Sequence, residues 1–354
     1  MSDKNSAREI LNCRIYFLAE VFIAALGLFL IRTGLGTILT LVEQPSVLYT
    51  ELFYIFKFIA GLIAVPLCLA IAQIILQPKK HEVIFESNVA PSLQQFSLLK
   101  ITRKNFKYQL LWGFLLLIIV YFPINLLGYL IPGAIEIEAK VFHSSSSGLG
   151  LYFSVPYLSF VLAVIIIQSC VSFHEEWIFR GFLVNRGEYR FSKYSAIVIS
   201  SFFFGLSHTG YIFVAIGLGE NIFYPIVWAL SAGVVGFINA SFITRKKWLF
   251  PVIFAHFLSN IISTHTIWYV TQGGYFFDIF IFLYVPLILL SLIVLIIQYP
   301  RVKKGVQFVS SDIKNYFKVD VKRDETSNDR SIRIIFDILI ILSLWLIATI
   351  GLAF

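Results

Sequence analysis

Cys170-Val171-Ser172-Phe173-His174-Glu175-Glu176-Trp177-Ile178-Phe179-Arg180-Gly181 sets two adjacent carboxylates and a guanidinium against the end of a long apolar run. An ionisable side chain in hydrocarbon costs about 2.5 to 3.5 kcal/mol on insertion scales, and as a rule it faces the interior of a helix bundle. In a helix, Glu176 and Arg180 share one face at i,i+4 and neutralise each other. Glu175 points about 100° away from its neighbour. It is therefore left over, free to act on something other than Arg180.

The chain around this stretch has 354 residues, 58% hydrophobic and 14% charged, with a mean hydropathy of +0.83. That composition excludes an ordinary soluble domain. Runs long enough to span a hydrocarbon core of about 30 Å lie near 15–31, 47–76, 108–131, 151–173, 194–208, 222–243, 249–266, 273–298 and 332–353. The fifth and seventh are short enough to be tilted, broken or partly buried in protein. The expected fold class is all-α, a polytopic transmembrane helical bundle of about 8–9 spans with its catalytic core in the central helices.

A net charge of +8 would suggest nucleic acid in a soluble protein, but here its placement along the loops matters more, and no nucleic-acid partner is expected. Of 28 Lys and Arg, all but Arg32, Lys57, Lys140 and Arg180 fall on one set of alternating segments. By the positive-inside rule these segments and the N-terminus are cytoplasmic. The basic segment 77–107, with Lys79, Lys80 and Lys107, then contacts the anionic inner leaflet. Cys13, Cys68 and Cys170 have no paired spacing and read as small hydrophobes. Glu20, Glu51 and Lys57 read as snorkelling or helix-helix ion-pair residues. Ser144-Ser145-Ser146-Ser147-Gly148 marks the outer loop 132–150 as a flexible connector without chemistry, and the polar tail from Tyr299 to Arg330 reads as a linker of limited order.

Two later segments carry polar residues at helical spacing: Phe204-x-x-x-His208 and His256-x-x-x-Asn260, each pair on one helix face. Between them Ser231, Gly233, Gly236 and Ala240 form a small-residue face for close helix packing. Any one of these alone is most simply a packing feature. Three helices burying polar groups in succession point to a common site. A carboxylate, two imidazoles and a carboxamide suffice for peptide hydrolysis. Glu175 is the general base and His208 holds the same water, His256 and Asn260 donate to the oxyanion, and Glu176, Arg180 and Phe204 support them. His174-Glu175 opens like the zinc signature H-E-x-x-H, but Ile178 stands where the second histidine is needed. A zinc site built from Glu175, His208 and His256 is the alternative to a site without cofactor. No serine or cysteine nearby has a Gly-x-Ser-x-Gly setting.

The ordered set Glu175-Glu176-x-x-x-Arg180, Phe204-x-x-x-His208, His256-x-x-x-Asn260 resembles the CAAX protease and bacteriocin-processing family, also called the Abi family. The resemblance covers roughly residues 150–270, with no departure at a motif position. It implies an intramembrane endopeptidase in which Glu175 and His208 activate water, His256 and Asn260 form the oxyanion site, and Glu176 with Arg180 orders the first helix. The implied partners are the lipid bilayer and a membrane-associated peptide or protein substrate, CAAX-like or leader-bearing, in a bacterial plasma membrane. The chain then divides into N-terminal transmembrane helices with the basic loop (1–149), the catalytic core (150–270), a transmembrane helix (271–298), a polar cytoplasmic linker (299–331) and a last transmembrane helix (332–354). The competing readings are a non-catalytic bacteriocin-immunity or regulatory membrane-binding protein, and a proton-coupled transporter. The first should have lost a motif residue, and the second should show inverted repeats; neither sign is present.

Overall fold

In the computed structural model the described residues are 3–44, 46–76, 91–143, 150–319 and 325–349. Lys79 and Lys80 of the basic loop, the serine run at 144–147, and Lys322, Arg323 and Asp324 of the tail lie outside them. Among the described residues all regular structure is helical. The order is α1 (Asp3–Leu39), α2 (Val47–Ile75), α3 (Pro91–Ser97), α4 (Phe106–Tyr129), α5 (Ala134–His143), α6 (Tyr157–Arg190), α7 (Lys193–Gly217), α8 (Phe223–Lys246), α9 (Phe250–Thr271), α10 (Phe276–Ile297), α11 (Tyr299–Tyr316) and α12 (Ser327–Thr349). Nine of these, all but α3, α5 and α11, are long and apolar enough to cross a membrane.

Of the spans that run past the boundaries expected of them, two bear on the site. The apolar run before the glutamates ends near 173, yet α6 continues to Arg190 as a helix of 34 residues. It continues because its charged part is surrounded by protein. All eight residues from Trp177 to Val184 are buried, and over that stretch the helix widens to π geometry, a form that often marks functional sites. The short fifth run is broken: α7 is α-helical over Lys193–Ser207 and again over Gly210–Gly217. The break falls at His208 and Thr209, whose amides bond only three residues back, to the carbonyls of Gly205 and Leu206.

Helix packing follows the small residues. A Cβ on Gly205 of α7 would come within 3.0 Å of the Ala229 carbonyl and 3.3 Å of the Gly233 Cα on α8, so the two backbones meet directly, as the small-residue face on α8 requires. Apolar side chains form two clusters. One gathers Trp177, Phe179, Phe182 and Phe203; the other gathers Phe153, Phe160, Tyr224 and Tyr284. Helices α4, α6 and α9 run through both clusters, and their polar residues fall between them.

Buried ion pairs tie the first and last spans to the core. The Arg14 guanidinium on α1 meets Asp337 of α12 at 2.7 Å, and Glu20 of α1 accepts from Arg186 of α6 at 2.7 and 3.0 Å and also pairs with Arg190. Glu20 is thus the helix-helix ion-pair residue it was expected to be. The Trp345 indole of α12 donates to Thr209 Oγ1 at 3.1 Å, bracing the break in α7.

Two connectors are more ordered than their composition suggests. Loop 132–150 contains α5, which folds back onto the bundle, burying Ile135, Ile137 and Glu138. The tail contains α11, whose Asp312 is buried and pairs with Arg245 of α8. Polar composition fitted a linker, but one helix face with Asp312 and Tyr316 has found a partner surface. The described cysteines form no disulfide with one another, and Cys68 is buried.

Candidate active site

The three sequence motifs meet. Glu176 is fully buried on α6, and its Oε2 lies 3.2 Å from the equally buried Arg180 Nε one turn on. Its Oε1 lies 2.9 Å from His256 Nδ1 on α9. Because an ionised carboxylate only accepts, His256 donates from Nδ1 and turns Nε2 toward Glu175. The Glu175 Oε2 is 3.7 Å from that nitrogen, too far for a direct hydrogen bond. Its side chain keeps 22% of its surface accessible, whereas that of Glu176 is wholly covered. The two neighbours have therefore been separated into a structural carboxylate and an available one.

Phe204 joins the remaining motif to this pair. Its ring lies 4.0 Å below the Arg180 guanidinium, a cation–π contact that partly compensates a charge without water. The same ring packs edge-on against His208 with centroids 4.8 Å apart and faces His256 at 6.3 Å. Gly236 of α8 permits this approach, since a Cβ there would sit 3.0 Å from Arg180 Nη2 and 3.3 Å from Phe204 Cδ1. His208, at the break in α7, has its Nδ1 2.8 Å from the Phe204 carbonyl. A carbonyl can only accept, so Nδ1 carries the proton and Nε2 presents a lone pair. Glu175 and His256 both act electrostatically on this imidazole.

Asn260 lies one turn beyond His256 on α9 and is partly committed. Its Nδ2 donates to Gln168 Oε1 at 2.9 Å, and Gln168 in turn donates to Thr264 at 3.3 Å. One of the two amide hydrogens of Asn260 is then left over.

Several residues of this network were not singled out in the sequence. Asn239 of α8, fully buried, donates to the Tyr121 hydroxyl and reaches toward Glu176 Oε1 at 3.5 Å. The Tyr121 ring of α4 lies 5.6 Å from that of His256. Gln168 stands two turns before Glu175 on α6. A signal for two of them was present, since Asn239 and Gln168 are carboxamides inside apolar runs; Tyr121 is one tyrosine among 17 and carried none.

Among the described residues no three His, Cys, Asp or Glu side chains come together as a group able to hold a metal, and His256 has turned Nδ1 to Glu176 while its Nε2 faces Glu175 across 3.7 Å.

No match was found among curated proteins or among solved structures. Residues 157–262 match the family model described as Rce1-like, type II CAAX prenyl endopeptidase Rce1-like. That segment, which is similar to the CAAX endopeptidase model, contains Glu175, Glu176, Arg180, Phe204, His208, His256 and Asn260, the residues that carry the motif resemblance.

Proposed function

We propose that the protein is an intramembrane endopeptidase that hydrolyses a peptide bond of a membrane-associated protein or peptide, CAAX-like or leader-bearing, with water activated by Glu175 and His208. The observation that carries this reading is the division of labour between the glutamates: Glu176 is consumed by Arg180 and His256, and Glu175 remains partly open beside an imidazole.

In this mechanism Glu175 takes a proton from water, and the His208 Nε2 lone pair orients that water while Nδ1 is tied to Phe204. General-base assistance of this kind contributes about 10²–10⁴-fold. The hydroxide adds to the scissile carbonyl. The oxyanion is met by His256 from Nε2, in its protonated form, and by the Asn260 hydrogen that Gln168 does not use, each such donor contributing about 10²–10³-fold. As the C–N bond breaks, Glu175 returns its proton to the leaving amine. The N-terminus is assigned to the cytoplasm from the loop charges, which opens the site to the inner half of the bilayer.

The test is cleavage of a membrane-peptide library by purified protein in lipid, comparing wild type with Glu175→Gln and repeating both with a zinc chelator. Cleavage by wild type alone, unaffected by chelator, is the expected result. Loss to chelator would put a metal in place of the glutamate-activated water. No cleavage by wild type, with Glu175→Gln still performing the cellular role, would replace the enzyme by a binding protein.

A further inference from the structure

Lys57 carries a charge that the fold does not answer. Helix α2 runs beside α6 in the same direction: the Phe58 ring meets Phe173 edge-on at 4.8 Å, and the Trp177 indole donates to the Gly61 carbonyl at 3.0 Å. The contact is close, since a Cβ on Gly61 would stand 2.7 Å from His174 Nδ1. This register puts Lys57 one turn from Gly61 toward the Val47 end of the bundle, a turn beyond Glu175. Glu175 is the acid that acts on the Lys57 ammonium. No hydrogen bond or ion pair among the described residues holds that ammonium. Arg14 and Glu20, the buried charged residues of α1, are by contrast both paired.

The surroundings of Lys57 are those of a binding wall. Arg32 of α1, stacked on Phe53 at 5.4 Å, adds a second positive charge. Tyr54 and Tyr211 stand within the field of Glu175 and, like Lys57, keep part of their surface accessible although they lie deep in the bundle. An ammonium that served only to answer Glu175 would sit in contact with it. Instead Glu175 makes its ion-pair approach to His256, and no ion pair joins it to Lys57.

We propose that Lys57 is a specificity-determining residue that binds a carboxylate of the peptide substrate, beyond the scissile bond on the Val47 side of Glu175. The proposal rests on the peptidase reading. An extended chain advances about 3.3 Å per residue, so a carboxylate a few residues past the scissile bond reaches this wall. The free C-terminal carboxylate and an acidic side chain near it share this chemistry.

The experiment uses full-length protein in lipid nanodiscs and one cleavable membrane peptide in three forms: free C-terminal carboxylate, C-terminal amide, and C-terminal amide with glutamate as last residue. Wild type, Lys57→Met and Lys57→Arg are compared by kcat and KM. The same peptides are titrated against Glu175→Gln and Glu175→Gln/Lys57→Met by fluorescence anisotropy, which needs no turnover. The expected result is that amidation raises KM of wild type about tenfold or more, the size of a charge-assisted hydrogen bond, with kcat little changed. Lys57→Met should raise KM for the carboxylate form equally and abolish the difference between forms, and Lys57→Arg should restore it. Recovery with the terminal glutamate keeps Lys57 as the carboxylate site and assigns its ligand to a side chain. Equal amidation penalties with and without Lys57, or a kcat loss with a displaced pH profile at constant KM, overturns the proposal, the latter making Lys57 a positioning residue for Glu175. If wild type cleaves none of the peptides the peptidase reading fails, and the anisotropy comparison still decides: equal binding of all forms by both Glu175→Gln proteins rejects the carboxylate site.

Discussion

His256 Nδ1 lies 2.9 Å from Glu176 Oε1, so the carboxylate that the His256 imidazole engages by a hydrogen bond is the buried one. The imidazole is thereby oriented, and its other nitrogen faces Glu175 at 3.7 Å. This single contact links the first motif to the third, and it separates the expected behaviour of two adjacent glutamates.

Glu175→Gln should abolish turnover, by about 10²–10⁴-fold, while leaving the thermal unfolding midpoint within a degree or two of wild type. Glu176→Gln should do the reverse in stability. It strips the ion pair from a fully buried Arg180, a loss of about 3–5 kcal/mol for a broken buried pair. Unfolding and cleavage measured on both variants check this, and a stable Glu176→Gln protein would count against the assigned roles.

Phe204→Leu keeps an apolar side chain but removes the ring under the Arg180 guanidinium. A loss of about 0.5–2 kcal/mol is expected from the cation–π contact, together with a fall in kcat, because the same ring positions His208 and His256. Wild-type kcat in Phe204→Leu would show that the ring only fills space.

The two close-packed glycines of α8 should respond differently to alanine. At Gly236 a Cβ meets the Arg180 guanidinium at 3.0 Å and Phe204 at 3.3 Å, whereas at Gly233 the nearest atoms are 3.7 and 3.8 Å away. Gly236→Ala should destabilise by about 1–3 kcal/mol through overpacking and disturb catalysis. Gly233→Ala should be neutral or stabilising by up to about 1 kcal/mol from helix propensity. Chemical denaturation of the pair gives the comparison.

Glu138 of α5, outside the spans, supplies a pH dependence. Burial pushes its carboxyl up to about 7 from 4.5, against the opposing hydrogen bonds from Tyr224 and Tyr129, the former at 2.7 Å. Because the folded pKa is raised, the folded state holds a proton that the unfolded chain has lost. Stability should therefore fall as pH rises from about 4.5 to about 7 and level off above, by on the order of 3 kcal/mol. Unfolding of wild type and Glu138→Gln across this window is the check; the variant should lack the slope.

Much of the fold was legible because a bilayer imposes length and composition on each span. The nine apolar runs and the nine long helices agree for that reason. Boundaries failed where protein takes the place of lipid: α6 extends past Glu175 because the residues after it are buried in the bundle, and α5 and α11 form because each has one face with a place to pack. Composition alone could not reveal those places.

Of the site, residue types and their order along the chain were determined by the sequence itself: a Glu-Glu pair with Arg180 at i,i+4, and two later histidines each one turn from a partner. Helix periodicity is local, so it could pair Glu176 with Arg180 before any tertiary contact was known. Which His256 nitrogen faces Glu175, and that Asn239, Tyr121, Gln168 and Lys57 surround the site, were decided only by the packing of α2, α4, α6, α8 and α9. Those contacts join residues far apart in the chain, and their distances depend on how closely glycine-lined helices approach, which no one segment encodes.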